Sequence, residues 1–569
     1  MAAKRKVLFL QLPQLDNDVS GPNENLHLAA AYLQHAAEQA GEGRHHQFFK
    51  IPESAQQGST VKLVESILEL KPDVIAATLY LWNIEWTLRL LKAVSAYLPQ
   101  VRFVVGGPET AHEHPFLFQS RVAQAVVVGE GETVFPSILE AFRTGRSLDY
   151  STVALLTPHG YRWGKTVPPP VDLATALPPP DYPACGPNTR GMAYVETSRG
   201  CPMRCTYCRY PHLRRTLSFL APEAIEERVR ALRRLGACEI RFIDPTFNAH
   251  PRSTEILQRL VRLNRSRKLC FFAELNADRI TEEAADLLSA ANFVDIEVGV
   301  QSRDAAVLRE IRRPTNLDRL EEGVRRLSRR HIKVTLDLMY GLPRQGLDDL
   351  RHSLPWALRF RGVNVQCLQT LLLPGTELRA RHGAWQIKSG KIPPYAVTST
   401  RTLSPDDFRT IEEMIARHPR LRSDIATGRF VGRQLPDLFP EAIAVEAGSL
   451  TAATMPPGSG NRRAVMIRGA NLFDSREALA GFIRRAIHAE PDTLFQFVLQ
   501  PENEEPLDLL DTLIATLRRC PSHLLDRYAS AAIANKMAAR RILVRLPPAP
   551  RFDPDWIREA EELLAAAFF

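Results

Sequence analysis

Six apolar runs recur between residues 191 and 375: A-Y-V-E-T, C-E-I-R-F-I-D, C-F-F-A-E-L, F-V-D-I-E-V-G-V-Q-S, K-V-T-L-D-L-M-Y-G-L-P and V-Q-C-L-Q-T-L-L-L-P-G-T. Each closes on polar or glycine-containing residues, and helical patterns separate them. A chain that alternates strands and helices in this way buries both by pairing the strands in parallel and laying the helices on the sheet. Six such units are too few for a closed eight-stranded barrel. The segment from Lys6 to Ser147 alternates in the same manner, through K-V-L-F-L-Q-L, P-D-V-I-A-A-T-L, R-F-V-V-G-G-P-E and A-Q-A-V-V-V-G-E-G-E. It predicts a doubly wound parallel sheet, whose ligands bind at the carboxyl ends of the strands. Gly106, Gly107 and Pro108 fall at one such end, and Gly129, Glu130, Gly131 and Glu132 at another. Glycine there admits a ligand close to the backbone, although G-G-P also suits a plain tight turn. No G-x-G-x-x-G opens a helix after the first strand, which disfavours a nicotinamide or flavin dinucleotide.

Directly after the first of the six runs stands G-C-P-M-R-C-T-Y-C, which sets Cys201, Cys205 and Cys208 in a C-x3-C-x2-C spacing. Three thiols in eight residues cannot all pair with one another, and tight loops are poor disulfide geometry. They can converge on one metal centre. Three thiolates supply all but one of the iron ligands of a [4Fe–4S] cluster. A zinc knuckle completed by His212, four residues beyond Cys208, is the competing reading of the spacing alone.

The whole chain sets bounds on both. Its 569 residues suit three or four domains. Eight cysteines, three of them clustered, fit a reducing cytoplasm. No apolar run approaches the length of a membrane span, and the N-terminal K-V-L-F-L-Q-L-P reads as a first strand. The net charge of +9 is carried by arginine-rich runs such as R-V-R-A-L-R-R-L and R-R-L-S-R-R-H. Both lie on helical patterns, where a solvated face is the ordinary explanation. No basic segment with interleaved aromatics points to nucleic acid.

The cysteine spacing, at the end of the first strand of a βα repeat, resembles the radical S-adenosylmethionine superfamily. G-G-P-E followed by V-V-V-G-E-G-E ahead of such a core is similar to the cobalamin-binding domain of that superfamily's cobalamin-dependent members. The resemblance implies an α/β architecture with a doubly wound cobalamin-binding domain at 1–147 and a partial (βα)6 barrel at 190–384. The proline-rich stretch between them reads as a linker at 148–189. Residues 385–569 carry no recognised motif; their mixed strands and helices predict a small α+β domain, which either covers the barrel mouth and shapes the substrate pocket or is a structural addition. The resemblance also implies a [4Fe–4S] cluster on Cys201, Cys205 and Cys208, with S-adenosylmethionine on the open iron. Tyr207 would pack near the adenine. Asp244, Glu274, Gln301, Ser302 and Met339, with Tyr340, Gly341, Pro374 and Gly375, would form a shell around S-adenosylmethionine. Cobalamin would lie against Pro13 to His27, Leu79 to Asn83, Gly106, Gly107, Pro108, Glu109, and Gly129 to Glu132. D-x-H-x-x-G is absent, so no axial histidine from that motif is expected.

The implied function is methyl transfer to an unactivated carbon, or to a phosphinate phosphorus, of a small-molecule or peptide substrate. An external electron donor such as flavodoxin or ferredoxin is expected as a partner, in the cytoplasm, with no nucleic acid and no membrane. Relatives also carry out cyclisation and ring remodelling, which the motifs do not separate. A methylthiotransferase needs a second set of cysteines near its N-terminus, and no cysteine precedes Cys185. The reading from another class is a non-catalytic corrinoid- or zinc-binding protein.

Overall fold

The structure, a computed structural model, describes residues 3–15, 26–51, 53–56, 58–183, 185–210, 216–418, 420–421, 429–435, 438–451, 458, 460–527, 539–549 and 551–566. His212 lies outside the described residues, as do residues 16–25 of the expected Pro13–His27 wall.

The first sheet comprises β1 (Arg5–Leu10), β2 (His46–Lys50), β3 (Val74–Thr78), β4 (Arg102–Gly106), β5 (Ala125–Val127), β6 (Val153–Thr157) and β7 (Gly160–Trp163). Its order is β2-β1-β3-β4-β5-β6-β7. The first five strands are parallel, and β6 and β7 add antiparallel to the edge. The sheet therefore runs past residue 147 into the expected linker. The hairpin is legible in retrospect as an apolar run, V-A-L-L-T, turned by H-G. The order places the topological switch between β1 and β3, where ligands of such sheets bind. Asn83 fixes that point. It is fully buried, accepts from Tyr80 N at 2.8 Å, and donates to Leu12 O at 3.0 Å and Thr78 O at 3.2 Å. The side chain thus ties the turn after β3 to the end of β1, with helix Ile84–Tyr97 starting immediately after it.

The central sheet comprises β8 (Met192–Val195), β11 (Glu239–Phe242), β12 (Cys270–Glu274), β13 (Phe293–Gln301), β14 (Lys333–Tyr340) and β15 (Val363–Gln369). Between β8 and β11 the chain makes a short antiparallel pair, β9 (Ser198–Arg199) and β10 (Ser218–Phe219). The six long strands are parallel and pair in chain order from β8 to β15. This is the expected (βα)6 arrangement, with free edges at β8 and β15. Helices such as Leu317–Arg329 bury Leu320, Val324 and Leu327 at i, i+4 and i+7 against it. A small antiparallel pair follows, β16 (Lys388–Ser389) with β17 (Val397–Ser399).

The last sheet comprises β18 (Val431–Gly432), β19 (Glu441–Glu446), β20 (Arg462–Gly469), β21 (Leu494–Pro501) and β22 (Arg540–Arg545), in the order β18-β22-β21-β20-β19. Every pairing in it is parallel. This corrects the expected α+β layout. Helices Arg476–Ala489 and Asp508–Arg519 are the crossovers that parallel neighbours require. The unit also sits elsewhere than expected. It docks on the first sheet's helices, through Ser59 to Gly458 O, Arg89 to Asp492, and Arg527 to Glu85. Apolar residues of helices Thr60–Leu70 and Ile84–Tyr97 belong to one continuous core with those of β20, β21 and β22.

Candidate functional site

A cavity of about 340 Å³ lies where the first two sheets meet. Its floor is the carboxyl edge of the first sheet: Ala76, Ala77 and Thr78, then Gly106–Pro108, then Val127 and Gly129–Glu132. Its opposite wall is Glu196, Ser198, Arg199, Gly200, Tyr210, Ile243 and Pro245 from the central barrel. The two glycine turns and the approach to the cysteine loop therefore face one space. All of its lining residues among those described fall between 28 and 245.

Small side chains keep that floor flat. Gly107 has φ of 108°, and a Cβ there would lie 2.7 Å from Leu79 O. Gly129 has φ of 88°. A Cβ on Gly131 would lie 2.8 Å from Leu33 Cδ2. A broad, flat ligand that approaches the backbone fits such a floor. Glu109 does not line the cavity. It is buried against His114 at 3.3 Å, and His114 contacts the Tyr395 hydroxyl at 3.2 Å. The sequence assigned it to cofactor; the structure uses it to join the first sheet to the segment after the barrel.

Four hydrogen bonds to one carboxylate position the cysteine loop. Asp244, at the end of β11 and 1 % exposed, accepts from Thr197 N at 2.9 Å, Thr197 Oγ1 at 2.8 Å, Ser198 N at 2.6 Å and Ser198 Oγ at 3.0 Å. Three of these fall on Oδ1 and one on Oδ2. Asp244 thereby pins the strand-to-loop turn, chiefly through Oδ1. Burial still raises its pKa to about 6, the bonds from Thr197 and Ser198 opposing the rise.

Within the loop, Cys201 Sγ lies 3.9 Å from Thr246 Oγ1, and Arg313 Nη1 reaches Cys205 Sγ at 3.8 Å. Burial raises the Cys201 thiol, and pushes Cys208 up to about 12. Thiols so placed stay protonated until a metal displaces the proton. Among the described residues no three His, Cys, Asp or Glu side chains converge as a single ion needs. In a polynuclear cluster each thiolate takes a separate iron, and three thiolates leave one iron open. Arg313, distant in sequence, adds a cation beside the sulfurs and donates to Gly299 O at 2.6 Å. Gly299 and Gln301 flank an irregularity in the β13–β14 register, where Gln301 adopts φ of 64°. Gln301 Oε1 is buried with no hydrogen-bond partner among the described residues.

The other assigned residues divide. Glu274 points into the barrel, accessible to solvent yet ringed by protein. Burial, then Glu297, raises its carboxyl to about 7. Asp337, on β14, is raised as well, by burial first and by Glu297 next. Ser302 is fully buried and accepts from Asp304 N at 3.0 Å, capping the turn that follows β13. Tyr207 and Met339 pack together with Val307, Leu308, Ile311 and Leu342.

Two arginines that bracket the cysteines were not singled out from the sequence. Arg199 meets Glu132 at 2.7 Å, Glu196 at 2.8 Å and Glu130 at 3.4 Å, and lies over the Tyr32 ring at 5.6 Å. Arg209 donates to Thr110 O, to Gly375 O at 3.2 Å and to Pro108 O at 3.4 Å. The cysteine loop is thus fastened at one end to V-V-V-G-E-G-E and at the other to G-G-P-E-T. Position beside the cysteines was the available signal; the partners in the first sheet are more than 60 residues away.

Comparison with known proteins agrees with this layout. Residues 24–139 match the B12 binding domain, and residues 195–357 match the radical SAM superfamily. Over 376 residues the chain is 25% identical to the cobalamin-dependent radical SAM methyltransferase TokK of Streptomyces tokunonensis, covering 62% of this chain and 54% of that protein. It is 25% identical over 314 residues to the 2-(S-pantetheinyl)-carbapenam-3-carboxylate methyltransferase of Streptantibioticus cattleyicolor, covering 50% and 45%. The chain spans about half the length of these curated relatives. The radical S-adenosylmethionine methyltransferase TsrM of Kitasatospora setae shares the fold, with a TM-score of 0.55 at 16% identity over 71% of this chain and 80% of that one.

Proposed function

From a chain that joins a B12-binding domain to a radical SAM domain, we propose a cobalamin-dependent radical S-adenosylmethionine methyltransferase acting on an unactivated carbon, or a phosphinate phosphorus, of a small-molecule or peptide substrate. The observation that carries this reading is the shared cavity, lined on one side by Gly106–Pro108 and Gly129–Glu132 and on the other by Glu196, Ser198–Gly200 and Tyr210. Cys201, Cys205 and Cys208 would hold the cluster, and the small-residue floor would take the corrin. When bound, these groups and S-adenosylmethionine supply radical initiation and a transferable methyl group.

The chain's own residues do the positioning. Asp244 fixes the approach to the cysteine loop, and Arg199 and Arg209 hold that loop against the two glycine turns. Arg313 sets a positive charge beside the cluster sulfurs. The Glu274–Glu297–Asp337 group, facing the barrel interior, offers acceptors for a cationic or hydroxylated ligand.

Anaerobic production with cobalamin supplied, followed by iron, sulfide and cobalt assays, tests the reading. The expected result is about four irons and one cobalt per chain, with methyl transfer from S-adenosylmethionine in the presence of a reductant. Iron without cobalt would remove the methyltransferase assignment. Zinc without iron would remove the radical one.

A further inference from the structure

The reading above requires an electron to reach the cysteine loop from outside, and one surface lies directly behind that loop. Thr206, between Cys205 and Tyr207, is buried, and its backbone is held from two sides. Its N–H donates to Ile311 O at 2.9 Å, and its carbonyl accepts from Leu378 N at 2.8 Å. The segments that supply those partners continue outward into one concavity of about 320 Å³, lined by Ala306, Arg309, Glu310, Arg312, Arg344 and Arg381. All four arginines are exposed. They come from the segments that follow β13, β14 and β15 at the carboxyl ends of the strands, the end of the barrel that carries the cysteines. The residue after Arg312 is Arg313, whose guanidinium reaches Cys205 Sγ at 3.8 Å.

The charge of the concavity is one-sided. Glu377 meets Arg312 at 2.7 Å and Arg381 at 2.9 Å, and Glu310 accepts from the Trp385 indole at 2.8 Å. Arg309 and Arg344 make no ion pair among the described residues. Four guanidinium forks around a recess attract carboxylates and steer an acidic partner toward it. We propose that this recess is the docking surface for a small acidic one-electron carrier protein, such as a flavodoxin, that reduces the cluster. One electron leaves the carrier, which is oxidised by one equivalent, and enters the cluster, which is reduced by one; no bond forms or breaks. Encounters of this kind bury little area and depend strongly on salt.

The proposal rests on the cluster reading, and its test separates the two. Binding of an acidic bacterial flavodoxin to the anaerobically reconstituted protein is measured over a range of salt concentrations. Reduction of the cluster by reduced flavodoxin and by dithionite is followed in parallel by electron paramagnetic resonance. Arg309→Glu with Arg344→Glu is expected to weaken flavodoxin binding by about tenfold or more and to flatten its salt dependence, while reduction by dithionite is unchanged. The milder Arg309→Gln with Arg344→Gln should give an intermediate loss, which covers a misfolded reversal variant. A second basic concavity, lined by Arg325, Arg329, Arg359 and Arg361, lies at the opposite end of the barrel, ahead of β14 and β15. Reversal of Arg325 and Arg329 should leave binding unchanged. Unaltered binding in the Arg309/Arg344 variants, an equal loss in the Arg325/Arg329 variant, or no salt-dependent binding by the parent protein would overturn the surface. Failure to incorporate iron would instead overturn the cluster reading, with flavodoxin binding still measured on the chain.

Discussion

At the scale of single residues, the barrel interior stores an electrostatic cost that pH exposes. Glu274 and Asp337 both have carboxyl groups raised above their ordinary values of 4.5 and 3.8, because burial and the neighbouring Glu297 disfavour their ionised forms. Asp337 Oδ1 is buried with no hydrogen-bond partner among the described residues. A carboxyl raised in the folded state binds its proton more tightly there than in the unfolded chain. Its stabilising contribution is complete below the ordinary value and is lost as pH rises, through about 7 at Glu274 and beyond that at Asp337. The cofactor-free protein is therefore expected to lose stability from this pair as pH rises from roughly 4 to about 9. Asp337→Asn should flatten that decline and stabilise the protein at pH 8 by roughly 1–3 kcal/mol. Denaturant unfolding at pH 5 and pH 8 checks it, and an equal change at both values would show that the carboxylate is not the cause.

At the scale of elements, the cysteine loop is held by what flanks it. Arg199 has a side chain only 12% exposed, and the Glu132 and Glu196 side chains beside it are 11% and 13% exposed. Removing a guanidinium from among buried carboxylates costs more than its pairings stabilise, because the charges left behind are poorly hydrated. Arg199→Leu is expected to destabilise the protein by roughly 2–4 kcal/mol and to lower cobalamin uptake. Arg199→Lys should recover less than half of this, since one ammonium cannot reproduce a fork toward several carboxylates. Unfolding curves and cobalt content after reconstitution measure both effects. Unchanged cobalt content in Arg199→Leu would separate this arginine from the cavity it borders.

At the scale of the whole molecule, the C-terminal five-stranded unit is part of the first sheet's support. Apolar residues of helices Thr60–Leu70 and Ile84–Tyr97 share one core with β20, β21 and β22. The polar contacts Arg89–Asp492 and Arg527–Glu85 cross the same boundary. A chain ending at residue 418 would present those helix faces to water and is expected to aggregate or to lose the first sheet's cooperative unfolding. Size-exclusion chromatography with hydrogen exchange over residues 60–97 tests this. A monomeric truncation with native protection there would show that the unit is an independent appendage.

The sequence by itself determined the two parallel βα systems, the cysteine loop and the glycine turns, because apolar periodicity, glycine and C-x3-C-x2-C are local signals that a strand end or a tight loop requires. It also placed Gly106, Gly107, Pro108 and Gly129–Gly131 at the strand ends that border the cavity. Only the tertiary structure decided that Asp244 binds Thr197 and Ser198, that Glu109 turns to His114, and that Arg199 and Arg209 fasten the cysteine loop to the first sheet. Apart from the Glu109–His114 contact, which is local, those pairings join residues tens to more than a hundred positions apart, and no periodicity encodes them. The C-terminal unit was misread for a related reason. Strand and helix patterns reveal that elements exist, but parallel or antiparallel pairing, and the face on which a sheet docks, depend on which apolar surfaces meet once the chain has folded.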